Sequence, residues 1–422
     1  MTDLLIKNVH IIDPFNNTDG IGDIFIKNGV FADPETAEGN VEIINGTGMK
    51  AAPGLVDLHV HLRDPGQTDK EDILTGCHAA AAGGVTSLLA MPNTVPATDS
   101  PETVRYILEK AKAADAHVYV VGSITKGLDG HDATDIDAMY EAGISALSDD
   151  GKPVLDTSIM VAAMKRAAQL GIPVTAHCED PYLAGGKVNE GEISEKLGVK
   201  GMPAAAEDAG TARELALAAA YDLPIHICHV STKTSVDMIR DFRKRGVKVT
   251  AETAPHYLML TEEELLKRDA DYRMNPPLRT ETDRRAMIEA LKDGTIDAIA
   301  TDHAPHTPQE KADFENAPNG SIGMETSFAA AYTVLVKGGV MSETELIRKM
   351  SCNPAIILGI PAGTMYIGAP ADLFLYREEE WTVNPGKLHG KSKNTPFKGL
   401  TLSAKVKLTV CGGRVVYKDE GL

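Results

Sequence analysis

The 422-residue sequence is poor in aromatic residues and lacks several features that define common classes of protein. Aromatic residues make up 5% of the chain, with one tryptophan, which argues against an aromatic-lined platform for carbohydrate or RNA. No basic run occurs and the formal net charge is -18, so nucleic acid and anionic membranes are not expected partners. No apolar run approaches transmembrane length, and we expect no secretory signal.

The cysteines do not form a recognisable disulfide or metal-binding pattern. Five occur, at positions 77, 178, 228, 352 and 411, without CxxC spacing. An odd number without a framework predicts reduced thiols and a cytoplasmic protein. The length and a hydrophobic content of 43% allow one large globular domain and a small one.

From Gly54 onward, apolar strand-like runs alternate with segments of helical spacing. Eight such strands can be counted, beginning with GLVDLHVHL, which is the number that a TIM-like (β/α)₈ barrel requires. An open doubly wound sheet would usually carry a glycine-rich phosphate turn, and none is visible. We therefore predict an α/β fold with a barrel over residues 53–359. Short strands in 1–52 and 360–422 are predicted to pair as one small β-sandwich.

Polar and ionisable side chains follow several of these strands, where barrel enzymes place their chemistry. His59 and His61 are two residues apart, so on a strand both point to one face and can chelate one divalent ion. The residues that stand at strand ends are His59, His61 and Arg63 of strand one, Asn93 of strand two, Asp149 and Asp150 of strand four, His177 of strand five, His229 of strand six, and Asp302 and His306 of strand eight. This mixture of nitrogen and oxygen donors suits Zn²⁺ or a similar ion, and there are enough donors for two ions.

Other histidines carry no such pattern. His226 precedes His229 by three residues, which on a strand places it on the opposite face, so packing is the preferred interpretation. His256, in TAPHYL, stands near a strand end and is a candidate for a supporting or substrate-proximal position.

Two long segments resemble a known family. DLHVHLRDPG and ATDHAPHTPQEK are similar to the signature segments of dihydroorotases, within the amidohydrolase superfamily, and MPNT, SDDGKPV, HCED, CHVST and MNPPLR fall between them in the family's order. The resemblance is to the longer bacterial class. It implies a metal-binding barrel with a small β-sandwich and the reversible cyclisation of N-carbamoyl-L-aspartate to (S)-dihydroorotate, the third step of pyrimidine (UMP) synthesis.

The resemblance also implies roles for individual residues. His59, His61 and Asp302 correspond to ligands of a first metal ion, His177 and His229 to ligands of a second, and an aspartate to the group between them. Asp149 and Asp150 are both candidates for that aspartate, the spacing to His177 favours Asp150, and a carbamylated Lys152 is the alternative. Asp302 is also implied as the catalytic general base and acid. The implied substrate contacts are Arg63, Asn93, Asn275, His306, Asn319 and Gly320. Relatives often have an aromatic residue where this chain has Asn319.

The sequence leaves two rival functions open. Hydantoinases, dihydropyrimidinases and allantoinases share the barrel and metal site, but they typically use the bridging lysine and lack the set Arg63, Asn93 and His306. A non-catalytic scaffold for aspartate transcarbamoylase would have lost metal ligands, and every matched ligand is present here. The expected cofactor is one or two Zn²⁺ ions, with two preferred. The expected partners are a small-molecule substrate, a second copy in a homodimer, and aspartate transcarbamoylase as for some relatives.

Overall fold

The N-terminal segment folds as five strands. The computed structural model describes residues 3–422, so the first two residues of the predicted 1–52 segment lie outside it. The strands are β1 (Asp3–Asp13), β2 (Thr18–Lys27), β3 (Val30–Ala32), β4 (Val41–Asn45) and β5 (Lys50–Pro53). The register of β1 against β2 shifts between Ile6 and Val9, at Asn8, whose φ is 54°. The first part of β1 pairs in parallel with β4 and its last part pairs in parallel with β5.

The central part of the chain contains the parallel strands of the barrel. In chain order the strands are β6 (Leu55–Val60), β7 (Val85–Ala90), β8 (His117–Gly122), β9 (Ile144–Leu147), β10 (Thr175–Ala176), β11 (Val188–Asn189), β12 (Gly201–Met202), β13 (Ile225–Ile227), β14 (Val249–Thr253) and β15 (Ala298–Ile299). β11 and β12 pair only with each other. The other eight form two parallel ladders, β6-β7-β8-β9 and β10-β13-β14-β15. Parallel bridges between Leu147 and Val174 and between Val60 and His303 join the two ladders and close the barrel.

Helices follow most of the barrel strands. They are α1 (Ile73–Ala82), α2 (Pro101–Ala111), α3 (Ile136–Ala142), α4 (Thr157–Leu170), α5 (Glu192–Leu197), α6 (Ala205–Tyr221), α7 (Lys233–Lys244), α8 (Pro255–Met259), α9 (Glu281–Lys292), α10 (Ser327–Ala331), α11 (Glu343–Ile347) and α12 (Asn353–Leu358). Asp72 caps α1 by accepting from the backbone N–H of Thr75 at 2.9 Å, and Ser100 caps α2 just before Pro101. Within residues 3–422, no helix combines the length and apolarity needed to cross a membrane.

The C-terminal strands complete the sheet that the N-terminal strands begin. β16 (Leu373–Thr382), β17 (Thr401–Cys411) and β18 (Arg414–Lys418) extend it to the order β18-β17-β16-β5-β1-β2-β3, with β4 beside β1. β5 is the junction, because it pairs with β1 on one edge and with β16 on the other. The predicted barrel and the predicted pairing of both chain ends are therefore confirmed. The two ends are hydrogen-bonded as one continuous eight-stranded sheet.

Alternating residues of β16 attach this sheet to two hydrophobic cores. Leu373 and Leu375 belong to a core shared with β1, β2 and β17. Phe374 and Tyr376 point the other way and pack edge-on against Phe328 of α10, with ring centroids 4.9 and 4.8 Å apart. Burial of such rings is a large apolar contribution, so the sheet is fixed to the barrel on the side that carries α10.

Candidate metal centre

The six predicted metal ligands converge at the carboxyl ends of the barrel strands. Each lies at or just after the end of a barrel strand, and five strands contribute. They are His59 and His61 of β6, Asp150 after β9, His177 after β10, His229 after β13 and Asp302 after β15. All six side chains are buried, with exposed fractions between 0% and 6%. Parallel strands bring their carboxyl ends to one rim, which explains how residues up to 243 positions apart, His59 and Asp302, meet.

Asp150 lies at the middle of this group. Its Oδ1 lies 3.3 Å from His59 Nε2, 3.6 Å from His177 Nδ1 and 3.7 Å from His229 Nε2. Its Oδ2 lies 3.6 Å from His61 Nε2. One carboxylate thus faces both histidine pairs, which is the arrangement that a ligand shared by two ions needs.

Asp302 completes the group on the side of the first histidine pair. Its Oδ1 lies 3.2 Å from His61 Nε2 and 3.7 Å from His59 Nε2. On the other side, His177 Nδ1 and His229 Nε2 lie 3.0 Å apart. The donors therefore divide into two sets, one of His59, His61 and Asp302 and one of His177 and His229, with Asp150 between them.

The two alternatives to Asp150 are placed elsewhere. Asp149 accepts from the backbone N–H groups of Ile124 at 2.6 Å and Thr125 at 3.1 Å, and from the hydroxyl of Thr125, so its carboxylate secures the loop after β8. Lys152 is exposed. Neither side chain faces the histidines.

The donor set fits a bound cation. His59 Nε2 and Asp150 Oδ1 are buried and have no hydrogen-bond partner in the described chain, a costly condition that an ion between them would relieve. Burial would raise the pKa of Asp150, but the imidazoles of His59, His177 and His229 hold it well below its usual range. Burial acts likewise on Asp302, and the hydrogen bond with His61 and the charges of His59 and His229 lower its pKa to about 2. Both carboxyl groups are therefore ionised, and carboxylates are among the groups that can bind Zn²⁺.

Three residues of the site have left-handed backbones. The φ angles are 61° at Arg63, 35° at His229 and 48° at Asp302. Such angles are costly for residues other than glycine and persist where the surroundings hold them.

Buried carboxylates secure the backbone next to two of these strained residues. Asp57 accepts from the N–H and hydroxyl of Thr301 at 3.0 and 2.6 Å, next to Asp302. Glu207 accepts from the N–H groups of Ser231 at 2.9 Å and Thr232 at 3.1 Å, just after His229. Neither acid was predicted from the sequence. Asp57 could have been noticed as an acid inside an apolar strand.

Four of the six predicted substrate contacts lie in one group beside the metal ligands. Arg63 donates from Nε to Pro305 O at 3.2 Å, and its Nη2 lies 3.4 Å from His306 Nε2, which is 2.9 Å from Asn319 O. Gly320 has a φ of 134°, and an added Cβ would lie 2.8 Å from the Cβ of Ala304. Glycine is therefore required at this turn. Burial lowers the pKa of the Arg63 guanidinium. The negative charges of Asp302 and Asp150 act in the opposite direction, but their effect is smaller.

The two predicted asparagine contacts touch the ligand histidines or their partners. Asn93 Oδ1 lies 2.7 Å from His61 Nδ1, and its Nδ2 donates to Asp150 Oδ2 at 3.3 Å. Asn275 donates to Glu179 Oε2 at 2.9 Å, and that oxygen lies 3.7 Å from His177 Nε2. Both amides thus lie at the rim that holds the metal ligands.

Asn394 was not predicted and belongs to the segment between β16 and β17. It accepts from the backbone N–H of His306 at 3.2 Å and donates to the carbonyl oxygens of Ala304 at 3.3 Å and Gly320 at 3.1 Å. A residue of the C-terminal segment therefore ties together the two loops that carry His306 and Gly320. No spacing in the sequence relates it to the barrel.

A closed parallel barrel in which histidine and carboxylate side chains converge at the carboxyl ends of the strands is typical of the metal-dependent amidohydrolases. A family model described as "Dihydro-orotase-like" matches residues 48–235. Dihydroorotases of Geobacter metallireducens and Acetivibrio thermocellus are 48% and 46% identical, covering 98% and 99% of this chain and 99% and 100% of the relatives. The chain belongs to the dihydroorotase family and is a cyclic amide hydrolase. The solved L-hydantoinase (dihydropyrimidinase) of Arthrobacter aurescens shares the fold, with a TM-score of 0.88 at 24% identity over 99% of this chain and 96% of that one.

Proposed function

We propose that this chain catalyses the reversible hydrolysis of the cyclic amide of (S)-dihydroorotate to N-carbamoyl-L-aspartate. The observation that carries the proposal is the meeting of six side chains that could bind a metal at one rim beside an arginine, in a chain whose full-length relatives are dihydroorotases. The arginine matters because dihydroorotate carries a carboxylate, and a guanidinium binds a carboxylate through two parallel hydrogen bonds.

We propose two Zn²⁺ ions. His59, His61 and Asp302 would hold the first and His177 and His229 the second, with Asp150 shared by both. When bound, the ions supply a nucleophile from water at neutral pH and polarise the scissile carbonyl. Asn93 and Glu179 lie against the outer nitrogens of His61 and His177, and so would fix the orientation of these rings.

Asp302 is proposed as the group that moves the proton. Its Oδ1 faces His59 and His61. We propose that the other oxygen, Oδ2, accepts a proton from the attacking water. The same oxygen would then return this proton to the departing amide nitrogen, because one residue acts as base and then as acid across a single turnover.

Arg63 is proposed to bind the substrate carboxylate, with Asn93 and His306 completing this pocket. Asn275 would contact the substrate from the side of Glu179, and the backbone at Asn319 and Gly320 would read the edge of the ring. The support is the position of these groups around the same rim, at the hydrogen-bond distances given above.

The test is turnover by the purified chain on dihydroorotate, hydantoin and allantoin, with zinc content measured in the same preparation. We expect hydrolysis of dihydroorotate, about two zinc ions per chain, loss of activity after chelation and recovery when zinc is returned. Activity confined to hydantoin or allantoin would contradict the substrate assignment. A protein that binds no zinc under metal-replete conditions would contradict the reaction as a whole.

We propose that the chain forms a homodimer, associates with aspartate transcarbamoylase and is located in the cytoplasm. A homodimer and an association with aspartate transcarbamoylase are tested by light scattering of the chain alone and mixed with a transcarbamoylase. The cytoplasmic location is supported by five cysteines that are all buried and free of disulfides.

A further inference from the structure

Glu252 is an ionisable residue in the interior of the barrel. It lies in β14 and its side chain has no exposed surface. Branched apolar residues usually fill this space, and a buried carboxylate is costly unless charged or polar partners surround it. The residue was not singled out from the sequence and has no place in the reaction described above.

Each oxygen of Glu252 faces the nitrogen of a different buried histidine. Oε1 lies 3.5 Å from Nδ1 of His59, and Oε2 lies 3.3 Å from Nε2 of His226. The other nitrogen of His226 lies 2.9 Å from the hydroxyl of Thr250. The strand register explains the group, because His226 stands opposite Thr250 and Glu252 is two residues further along the same face. His226, predicted as mere packing, therefore supports Glu252.

The two nitrogens of His59 face opposite ways. Nε2 faces the carboxylates of Asp150 and Asp302, at 3.3 and 3.7 Å, whereas Nδ1 faces Glu252. Glu252 therefore lies behind the ligand histidine and not among the groups that surround the ion. We propose that Glu252 is the positioning residue of His59, and that it accepts from Nδ1–H so that the Nε2 lone pair points at the metal position. This proposal rests on the metal site of the proposed function.

His61 provides the contrast within the same pair. Its Nδ1 lies 2.7 Å from the neutral amide oxygen of Asn93, whereas His59 has a full carboxylate behind it. A carboxylate fixes the tautomer and increases the basicity of the opposite nitrogen. Cys228 is the third group that approaches His59 and Glu252, and a thiol donates too weakly to replace the carboxylate.

The experiment measures zinc affinity, by competition with a chromophoric chelator, for the metal-free wild type and for Glu252→Gln. We expect the variant to bind zinc about 10- to 100-fold more weakly, the usual effect of losing such a partner. Glu214→Gln is the matched control, because Glu214 is also a buried acid, but its carboxylate pairs with Arg213 at 3.0 Å and with none of the predicted metal ligands. The control should bind zinc as the wild type does.

Wild-type affinity in a folded Glu252→Gln variant would overturn the proposal. If that variant fails to fold, ¹⁵N-histidine NMR of the zinc-loaded wild type decides. We expect His59 to carry its proton on Nδ1, and a proton on Nε2 would overturn the proposal equally. Because wild-type zinc binding and dihydroorotate turnover are measured first, a failure of the proposed function is seen separately from a failure of the role of Glu252.

Discussion

Asp302 combines an ionised carboxylate with a left-handed backbone, and this combination determines how it can be tested. Asparagine tolerates a positive φ better than most residues, so Asp302→Asn keeps the backbone at φ 48° while it removes the charge. We expect a folded protein whose kcat for dihydroorotate falls about 10²- to 10⁴-fold, the usual contribution of a general acid–base group. Steady-state kinetics and thermal unfolding measure the two effects.

The zinc content of Asp302→Asn distinguishes two causes of low activity. Loss of zinc would indicate a lost metal ligand, whereas wild-type zinc content would indicate lost proton transfer. Asp222→Asn is the matched control, since Asp222 has a φ of 53° but is exposed between α6 and the start of β13, at the end of the barrel opposite the rim. The control should keep full activity. Turnover by Asp302→Asn at the wild-type rate would remove the assigned proton-transfer role.

Arg63 is the residue proposed to distinguish dihydroorotate from neutral cyclic amides. Replacing it by alanine removes charge-assisted hydrogen bonds to the substrate carboxylate, so we expect KM for dihydroorotate to rise about 10- to 100-fold with a smaller change in kcat. Arg63→Lys keeps the charge without the planar fork and should give an intermediate KM. Arg285→Ala, at an exposed arginine of α9, is the control for a lost surface charge. A KM that does not change in Arg63→Ala refutes the carboxylate assignment.

At the scale of the elements, the pair of His117 and Asp372 links the first residue of β8 to the residue before β16. His117 Nε2 lies 3.1 Å from Asp372 Oδ2, and hydrogen bonds with Asp372 and Cys411 raise the pKa of His117 to about 10. A histidine whose pKa is higher in the folded state than in the unfolded state stabilises the folded protein. This stabilisation is complete below the unfolded pKa, which is about 6.5. This stabilisation then declines as the pH rises and is lost above about 10.

We therefore expect His117→Gln to lower the melting temperature most at pH 6, less at pH 8 and not at all above pH 10. Scanning calorimetry of both proteins across this range measures the difference. His131→Gln is the control, because His131 is exposed in a loop. A difference between wild type and His117→Gln that is independent of pH would show that the contact is packing and not an ion pair.

The barrel could be predicted from sequence because its signals are local. Apolar runs such as GLVDLHVHL predict strands, and the spacing of His59 and His61 places both rings on one face. The ladders are shorter than the apolar runs suggest, with two residues in β10 and in β15.

The supporting groups of the site could not be predicted, because their partners are distant in sequence. Asp57 meets Thr301 across 244 positions, and nothing in either segment specifies that contact. Glu252 could have been noticed as an acid in a buried strand, but its partner His59 lies on a strand far along the chain. Local sequence patterns indicate which residues lie at the rim. Only the packed barrel specifies which side chains contact those residues from the interior.

At the scale of the whole molecule, the C-terminal segment takes part in the candidate site. Between β16 and β17 the chain returns to the barrel rim, where Ser392 donates to Lys70 O at 2.7 Å and Lys398 pairs with Asp271 at 2.6 Å. Asn394 stands at the centre of this return and contacts the loops of His306 and Gly320. The terminal sheet thus anchors a segment that contacts the side of the rim where the substrate contacts are predicted.

Asn394→Ala tests whether this return supports catalysis. The change leaves three buried backbone groups without partners, each at a cost of about 1–3 kcal/mol, so the loops of His306 and Gly320 should shift. Because no metal ligand touches Asn394, zinc content should stay at the wild-type value while kcat/KM for dihydroorotate falls about 10- to 100-fold. Asn384→Ala is the control, since Asn384 is exposed at the start of the same segment and, within residues 3–422, its side chain accepts only from the backbone N–H of Gly386. Wild-type kcat/KM in folded Asn394→Ala would mean that the barrel alone holds the substrate loops, whereas a parallel loss of zinc would mean that the segment supports the metal ligands as well.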